Sequence, residues 1–406
     1  MRYVVLGASA AGINGAKEIR KIDREAEIIL ISRDEHVYSR CILHHYISDH
    51  RNVSELDFSD ENFFERYNIQ WKRGRDVVGV DSERREVHLD NGESVSYYKL
   101  LIATGASSFI PPVENLRSAK RVYGLRNLED AERIREDAKD IKRACVIGAG
   151  LVGVDAVTGL MELGVEVNLV EMSDRILPLQ LDKKASSRYE EMFRKRGVEF
   201  SFSSRAERLE VDADNNPVAL HLEGGEKVPC DMVVVATGVR SNISFLEGTG
   251  VSTDRLGLVI DDRGRTNDPH IFGAGDVTGR NPIWPNAVKE AVVAANNMLG
   301  SEMVMDDFFS SKNTMNFMDL PTMSIGSVLP EEGDIVEVDE FQGIYKKIIH
   351  KEGRIKGALL QGDLSYSGVL THLIKNRTDI SKINKNIFEI DYSDFFRLKK
   401  NGEYSY

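Results

Sequence analysis

Two glycine-rich turns constrain this chain more than any other feature. They are Gly7-Ala8-Ser9-Ala10-Ala11-Gly12 and Gly148-Ala149-Gly150-Leu151-Val152-Gly153. Each follows a short apolar run, Tyr3-Val4-Val5-Leu6 or Ala144-Cys145-Val146-Ile147, and opens a stretch with helical patterning. Strand, glycine turn and helix in that order place the phosphates of a dinucleotide on a helix N-terminus, where backbone N–H groups are free and no side chain blocks approach. One such turn is weak evidence, because tight strand-to-helix turns use glycine for purely conformational reasons. Two turns in the same order imply two nucleotides, one giving electrons and the other taking them.

Composition narrows the alternatives. A chain of 406 residues, 41% hydrophobic, accommodates two or three packed domains. Its longest apolar stretch, Met232 to Ala236, is too short to span a bilayer, and Met1-Arg2-Tyr3 leads straight into a strand, so a cytoplasmic protein is expected. The formal charge of −12 argues against nucleic acid and anionic membrane as partners. Cys41, Cys145 and Cys230 have no paired spacing, so no disulfide framework, zinc site or iron–sulfur cluster, and hence no metal site, is expected. Any cluster belongs to a partner.

The pattern predicts an α/β fold of two Rossmann-like dinucleotide-binding domains plus a small C-terminal α+β domain. In the first half, a helix at 13–22 and a strand at 28–31 follow the turn, and Leu100-Leu101-Ile102-Ala103-Thr104-Gly105 closes the plan. Pro111-Pro112 marks a crossover. The plan then repeats: a helix at 127–139, the second turn, a strand at 165–170, and Met232 to Gly238. Residues 268–276 run from strand to a turn ending in Asp276, with a helix from about 287 to 299. The expected domains are 1–112 with 241–309, then 113–240, then 310–406. The last alternates strand-like runs at 322–328, 343–350 and 355–360 with a helix at 368–375.

On these motifs, with the paired Ala-Thr-Gly segments and Gly273-Ala274-Gly275-Asp276, the chain resembles the two-dinucleotide-binding flavoproteins of the pyridine nucleotide-disulfide oxidoreductase type. This superfamily includes rubredoxin and ferredoxin reductases, nitrite-reductase-type NADH dehydrogenases, NADH oxidases and coenzyme A disulfide reductases. The resemblance covers residues 1 to about 300 and implies FAD and NAD(H) as cofactors. It assigns FAD to Gly7, Ser9, Ala11, Gly12, Arg40, Thr104, Gly105, Arg126, Gly275 and Asp276, with Asp34 or Glu35 on the ribose; the sequence does not choose between these two acids. Asp276 has a second reading as a helix N-cap. The resemblance assigns the pyridine nucleotide to Gly148, Gly150, Leu151, Val152, Gly153, Asp155, Glu171 and Gly238. Asp155 stands where the family commonly has glutamate beside the nicotinamide. Glu171, 18 residues beyond Gly153, is placed to accept from both ribose hydroxyls, which favours NADH over NADPH, with Arg175 the nearby cation able to soften that choice.

Cys41 poses the sharpest question. Thiol-dependent relatives look like Asn-Cys-Gly-Leu-Pro-Tyr here, whereas carrier-protein reductases look like Tyr-x-Arg-Pro-x-Leu. Tyr38, Arg40 and Leu43 match the second pattern, with Cys41 in place of proline. A redox-active Cys41 needs a lowered pKa, for which Arg40, His44 and His45 are the available cations. The two histidines are also candidates to donate to the flavin or to shuttle a proton, or else lie on a solvated helix start. Cys145 and Cys230 read as core residues. Trp284 and Pro285, and the run Asn313 to Gly326, resemble the rubredoxin-reductase and nitrite-reductase-type group.

The expected activity is hydride transfer from NADH to FAD, then electron transfer to a small redox carrier: rubredoxin, ferredoxin or an iron–sulfur subunit. From residue 310 onward 13 Lys and Arg face 14 Asp and Glu, and Lys346, Lys347, Lys351, Arg354 and Lys356 form an expected docking patch for an acidic carrier. The alternatives are a Cys41-dependent coenzyme A disulfide or persulfide reductase or NADH oxidase, and an electron-relay subunit of a larger iron–sulfur complex. A homodimer is compatible with all three.

Overall fold

The computed structural model describes residues 1–305 and 312–405. The expected domain boundary at residue 310 therefore lies outside the described residues. The chain forms two units, Met1–Gly148 with Asp155–Asn168 and Ala206–Ser310, and Ala149–Val154 with Leu169–Arg205 and Ser311–Tyr406.

In the first unit, strand Arg2–Leu6 is central to a five-stranded parallel sheet. It pairs with Glu27–Ser32 on one side and Lys99–Ile102 on the other, and Ile69–Arg73 and Ile271–Gly273 complete the edges. Successive side chains of a strand point to opposite faces, so a strand covered on both sides reads as a continuous apolar run. Tyr3 and Val5 join Ile28, Leu30, Leu101 and Phe272 under helices Ala10–Ile22 and Trp284–Met298. Val4 and Leu6 join Ile29, Ile31, Leu100 and Ile102 against a three-stranded antiparallel sheet that contributes Val80, Val87, Leu89 and Val95. Truncating one of these fully buried aliphatic side chains to alanine costs about 2–5 kcal/mol.

The two helices over the first face approach closely because small residues meet there. A Cβ on Gly15 would stand 2.5 Å from Leu101 Cδ2 and 3.7 Å from Ala291 Cβ. The second apolar run, Arg143–Ile147, pairs in parallel with Met232–Val235, which pairs with Val122–Tyr123. Ala106–Ser108 and Val239–Ser241 form an antiparallel ribbon close to the expected domain boundaries at 112 and 240.

In the second unit the C-terminal segment forms a five-stranded antiparallel sheet, ordered Lys312–Phe317, Leu320–Gly326, Arg354–Gln361, Ile344–Lys351, Ile335–Phe341. Helix Ser367–Lys375 packs against it. The outermost strands are the two that the sequence pattern did not reveal. Helix Lys183–Arg194 also packs on this sheet: the Tyr189 hydroxyl donates to Leu320 O at 2.6 Å and lies 2.7 Å from Thr322 Oγ1, and Tyr189 meets Phe317 edge-on. Asp182 caps that helix by accepting from the Ala185 N–H, and its other oxygen accepts from Lys347 at 2.9 Å and Tyr345 at 2.8 Å. Among the described residues no helix is long and apolar enough to cross a membrane, and no cluster of His, Cys, Asp and Glu could hold a metal ion.

Candidate cofactor-binding site

The first glycine turn is built for close backbone approach. Gly7 has φ +105°, and a Cβ there would meet Ala103 O at 2.2 Å; a Cβ on Gly12 would meet Gly7 O at 1.8 Å. Any side chain at either position pushes backbone apart. Helix Ala10–Ile22 begins at Ser9, whose hydroxyl makes no capping bond, and its first turn carries no acid. Its N-terminal N–H groups are thus left for an anion, which the dipole also favours. Gly105, at φ +65°, has open space where its Cβ would be.

Arg40 sits in a dense polar knot. It donates to Asp34 Oδ2 at 2.6 Å, to the Tyr38 hydroxyl at 2.9 Å, to Asn127 Oδ1 at 2.6 Å and to Arg126 O at 2.8 Å. Tyr38 in turn donates to Asp34 Oδ1 at 2.8 Å. Both Asp34 oxygens are therefore engaged inside the protein. Glu35 is exposed and lies over Gly74, just past the end of strand Ile69–Arg73. Asn127 and Tyr38 were missed as site residues, although the Tyr-x-Arg spacing was visible.

Asp276 is not a helix N-cap. Gly275, at φ +81°, holds the cap position without a side-chain bond, and the Asp276 carboxylate pairs with Arg126. The turn is fixed from beneath by Glu290, which is buried and accepts from the Gly275 N–H at 2.8 Å. Burial raises the Glu290 pKa. Sequence reading missed this acid because nothing in a helix pattern marks one inward-facing carboxylate. The Thr104 hydroxyl donates to Asn242 O at 2.9 Å, so it braces the chain after the second Ala-Thr-Gly. Trp284 opens its helix and meets Phe58 edge-on at 4.5 Å, a core contact.

The second turn repeats this local design. Gly148 has φ +101°, and a Cβ there would meet Ala236 O at 2.5 Å. Gly150 and Gly238 have open space where a Cβ would stand. Helix Leu151–Glu162 follows and carries Leu151, Val152, Gly153 and Asp155. Glu171 is pinned to the turn: Oε2 accepts from the Ala149 N–H and Oε1 from the Ser173 N–H, each at 2.7 Å. Arg175 is not available to soften this charge. Its donors go to Asp174 Oδ1, Leu181 O and Pro178 O.

Around Cys41 the electrostatics do not meet the condition for a redox-active thiol. The thiol is exposed, but burial of its inner side and then the charge of Asp155 raise its pKa, with Arg126 opposing. Arg40 is committed to Asp34, and both histidines are held neutral. Burial, then His45, lowers His44 to about 3, and burial, then Arg51, lowers His45. Neither Arg40 nor the histidines supply the positive charge that a redox-active Cys41 needs. His44 is also not on a solvated face, with its side chain only 12% exposed. Its Nδ1 lies 3.4 Å from Asp155 Oδ1, without hydrogen-bond alignment, and burial raises Asp155 to about 8. Cys145 and Cys230 are fully buried, as expected.

The lysine patch is likewise different from expectation. Lys346 pairs with Asp363, Lys347 is buried against Asp182, and Lys356 lies between Glu331 and Asp334. Three of the five expected cations are thus paired within the second unit, while Lys351 and Arg354 are exposed.

Comparison with known proteins fits this geometry. Residues 1–291 match the model of the pyridine nucleotide-disulphide oxidoreductases. The chain belongs to this family. Residues 312–378 match the rubredoxin NAD+ reductase C-terminal domain. As a pyridine nucleotide-disulphide oxidoreductase, the chain is an FAD-dependent enzyme that uses NAD(H), and the two glycine cradles and free helix N-terminus fit such groups. It is 33% identical over 396 residues to the NADH-dependent phenylglyoxylate dehydrogenase subunit epsilon of Aromatoleum evansii, covering 94% of this chain and 93% of that one. It is 31% identical over 275 residues to the rubredoxin-NAD(+) reductase of Alcanivorax borkumensis, covering 67% and 71%. Among solved structures, the NAD-dependent persulfide reductase from A. fulgidus superposes with a TM-score of 0.84 at 27% identity, covering 93% of this chain and 77% of that one. The chain spans about half the length of the Bacillus subtilis nitrate and nitrite reductase proteins that it also matches.

Proposed function

We propose that this chain oxidises NADH and passes the electrons through FAD to a small redox carrier of the rubredoxin or ferredoxin type. The observation that carries the reading is the match of residues 312–378 to a rubredoxin reductase C-terminal domain, behind an oxidoreductase match over residues 1–291. FAD supplies the exchange between a hydride taken from NADH and electrons released singly. The protein binds and orients. In this reading residues 1–112 and 241–309 hold FAD, with the pyrophosphate on the helix after Gly7, Asp276 and Arg126 on its flavin side, and Glu35, the exposed one of the two acids, on the ribose. Residues 113–240 hold NADH, with Glu171 on the adenosine ribose.

A second reading has one specific support. The Aromatoleum evansii relative is a subunit, and this chain aligns with 93% of its length. In that case the carrier is an iron–sulfur partner held in a stable complex. An acceptor screen after NADH reduction, covering rubredoxin, ferredoxin, oxygen, coenzyme A disulfide and polysulfide, tests the proposal. Cys41→Ser decides the thiol route: carrier reduction is expected to survive, and its loss with retained FAD reduction places the chemistry on the cysteine instead. Co-purification of a stoichiometric iron–sulfur partner selects the subunit reading.

A further inference from the structure

A row of titratable side chains leads from the cofactor site to the surface of the first unit. At its inner end Asp155, on helix Leu151–Glu162, lies 3.4 Å from Nδ1 of His44. Asp155 is also close enough to Cys41 to act on its thiol, which feels Arg126 and Asp276 as well. The His44 and His45 rings are 4.1 Å apart, and the His45 and His50 rings 6.3 Å. His50 Nδ1 then lies 3.5 Å from Glu162 Oε2. Exposure rises along the row, from 12% for the His44 side chain to 58% for that of His50.

The contact that brings the helices together is built into the sequence. A Cβ on Gly159 would stand 3.1 Å from His44 O and 3.2 Å from Ile47 Cβ, so glycine one turn after Asp155 lets helix Leu43–Ile47 approach. His44 Nδ1 is buried and lacks a hydrogen bond, an expensive state that a proton donor relieves.

The chemistry requires an exit for a proton. Each NADH becomes NAD+ by giving up a hydride, and when its two electrons have left singly, one proton remains and must reach water. We propose that Asp155, His44, His45 and His50 form the path by which this proton leaves, with Glu162 at its outer mouth. An imidazole takes a proton on one nitrogen as it releases one from the other, so a neutral histidine conducts without holding charge. The 6.3 Å between the His45 and His50 rings is a gap that one water can bridge. The charged groups facing the row keep it neutral inside: His45, His50 and Arg51 disfavour charge on His44, and Glu162 attracts it at the outer end. The high Asp155 pKa and low His44 pKa accord with a proton that resides on the acid and crosses the imidazole.

This inference rests on the NADH oxidoreductase reading. The test uses the FAD-loaded protein reduced by one equivalent of NADH and reoxidised by ferricyanide, which accepts electrons without protons. A pH-indicator dye follows proton appearance while the visible absorbance follows reoxidation. In the wild type the two are expected to coincide. In His44→Leu, proton appearance lags by about tenfold or more, and added imidazole restores it. Asp155→Asn lags without imidazole rescue. His50→Leu, at the exposed end, gives a smaller lag and serves if His44→Leu does not fold. Coincident signals in these variants, or a lag in His44→Leu that is indifferent to imidazole, overturn the path. A protein that holds no FAD, or is not bleached by NADH, refutes the oxidoreductase reading instead.

Discussion

Replacing Glu171 by glutamine tests the nucleotide assignment most directly. One carboxylate oxygen accepts from the Ala149 N–H of the turn and the other from the Ser173 N–H next to Glu171, at 2.7 Å each, so the group is already fixed beside the turn that takes the phosphates. Glutamine keeps one acceptor and turns an NH2 toward an N–H, removing one charge-assisted bond and the orientation it gave. Losing the ionised acceptor for a ribose hydroxyl costs about 1.5–3 kcal/mol, which corresponds to a rise in KM for NADH of roughly 10- to 150-fold. The ribose is remote from the reacting carbon, so the loss is expected in KM with kcat nearly unchanged. A 2′-phosphate no longer meets a like charge, and NADPH improves relative to NADH. Steady-state kinetics with both nucleotides and ferricyanide as acceptor measure all four constants. An unchanged KM for NADH, or a wild type that already prefers NADPH, would refute the assignment of Glu171 to the ribose.

Gly12→Ala is expected to abolish FAD retention, because its Cβ would stand 1.8 Å from Gly7 O; a yellow protein with full FAD content contradicts the cradle. Asp155 is raised from 3.8 to about 8 by burial, so the folded state holds its proton across that interval and loses stability as pH rises through it. Asp155→Asn should flatten the fall in stability between pH 5 and 8, which this group sets at up to about 1.4 kcal/mol per pH unit, as thermal melts across pH will show in a less pH-dependent Tm. Lys347→Ala leaves Asp182 without its buried partner and should destabilise the second unit by about 3 kcal/mol in urea titrations, whereas an unaltered midpoint means the pair is not structural.

The sequence alone determined the local designs. A glycine at positive φ followed by a helix is dictated by backbone sterics within a few residues, so Gly7 to Gly12 and Gly148 to Gly153 were legible, as were the buried parallel strands that precede them. The acid at the end of a strand, Glu171, was legible for the same reason. Roles set by partners distant in sequence were not. Only tertiary structure decided that Asp34 is engaged by Arg40, that Glu290 supports the Asp276 turn, that Lys346, Lys347 and Lys356 are paired, and that the Cys41 thiol has a raised pKa. The outer strands Lys312–Phe317 and Ile335–Phe341 escaped notice because an edge strand lacks the strong burial pattern that marks a central one. Burial and charge are sums over everything nearby in space. A sequence fixes each contributor, and the fold decides which of them are near.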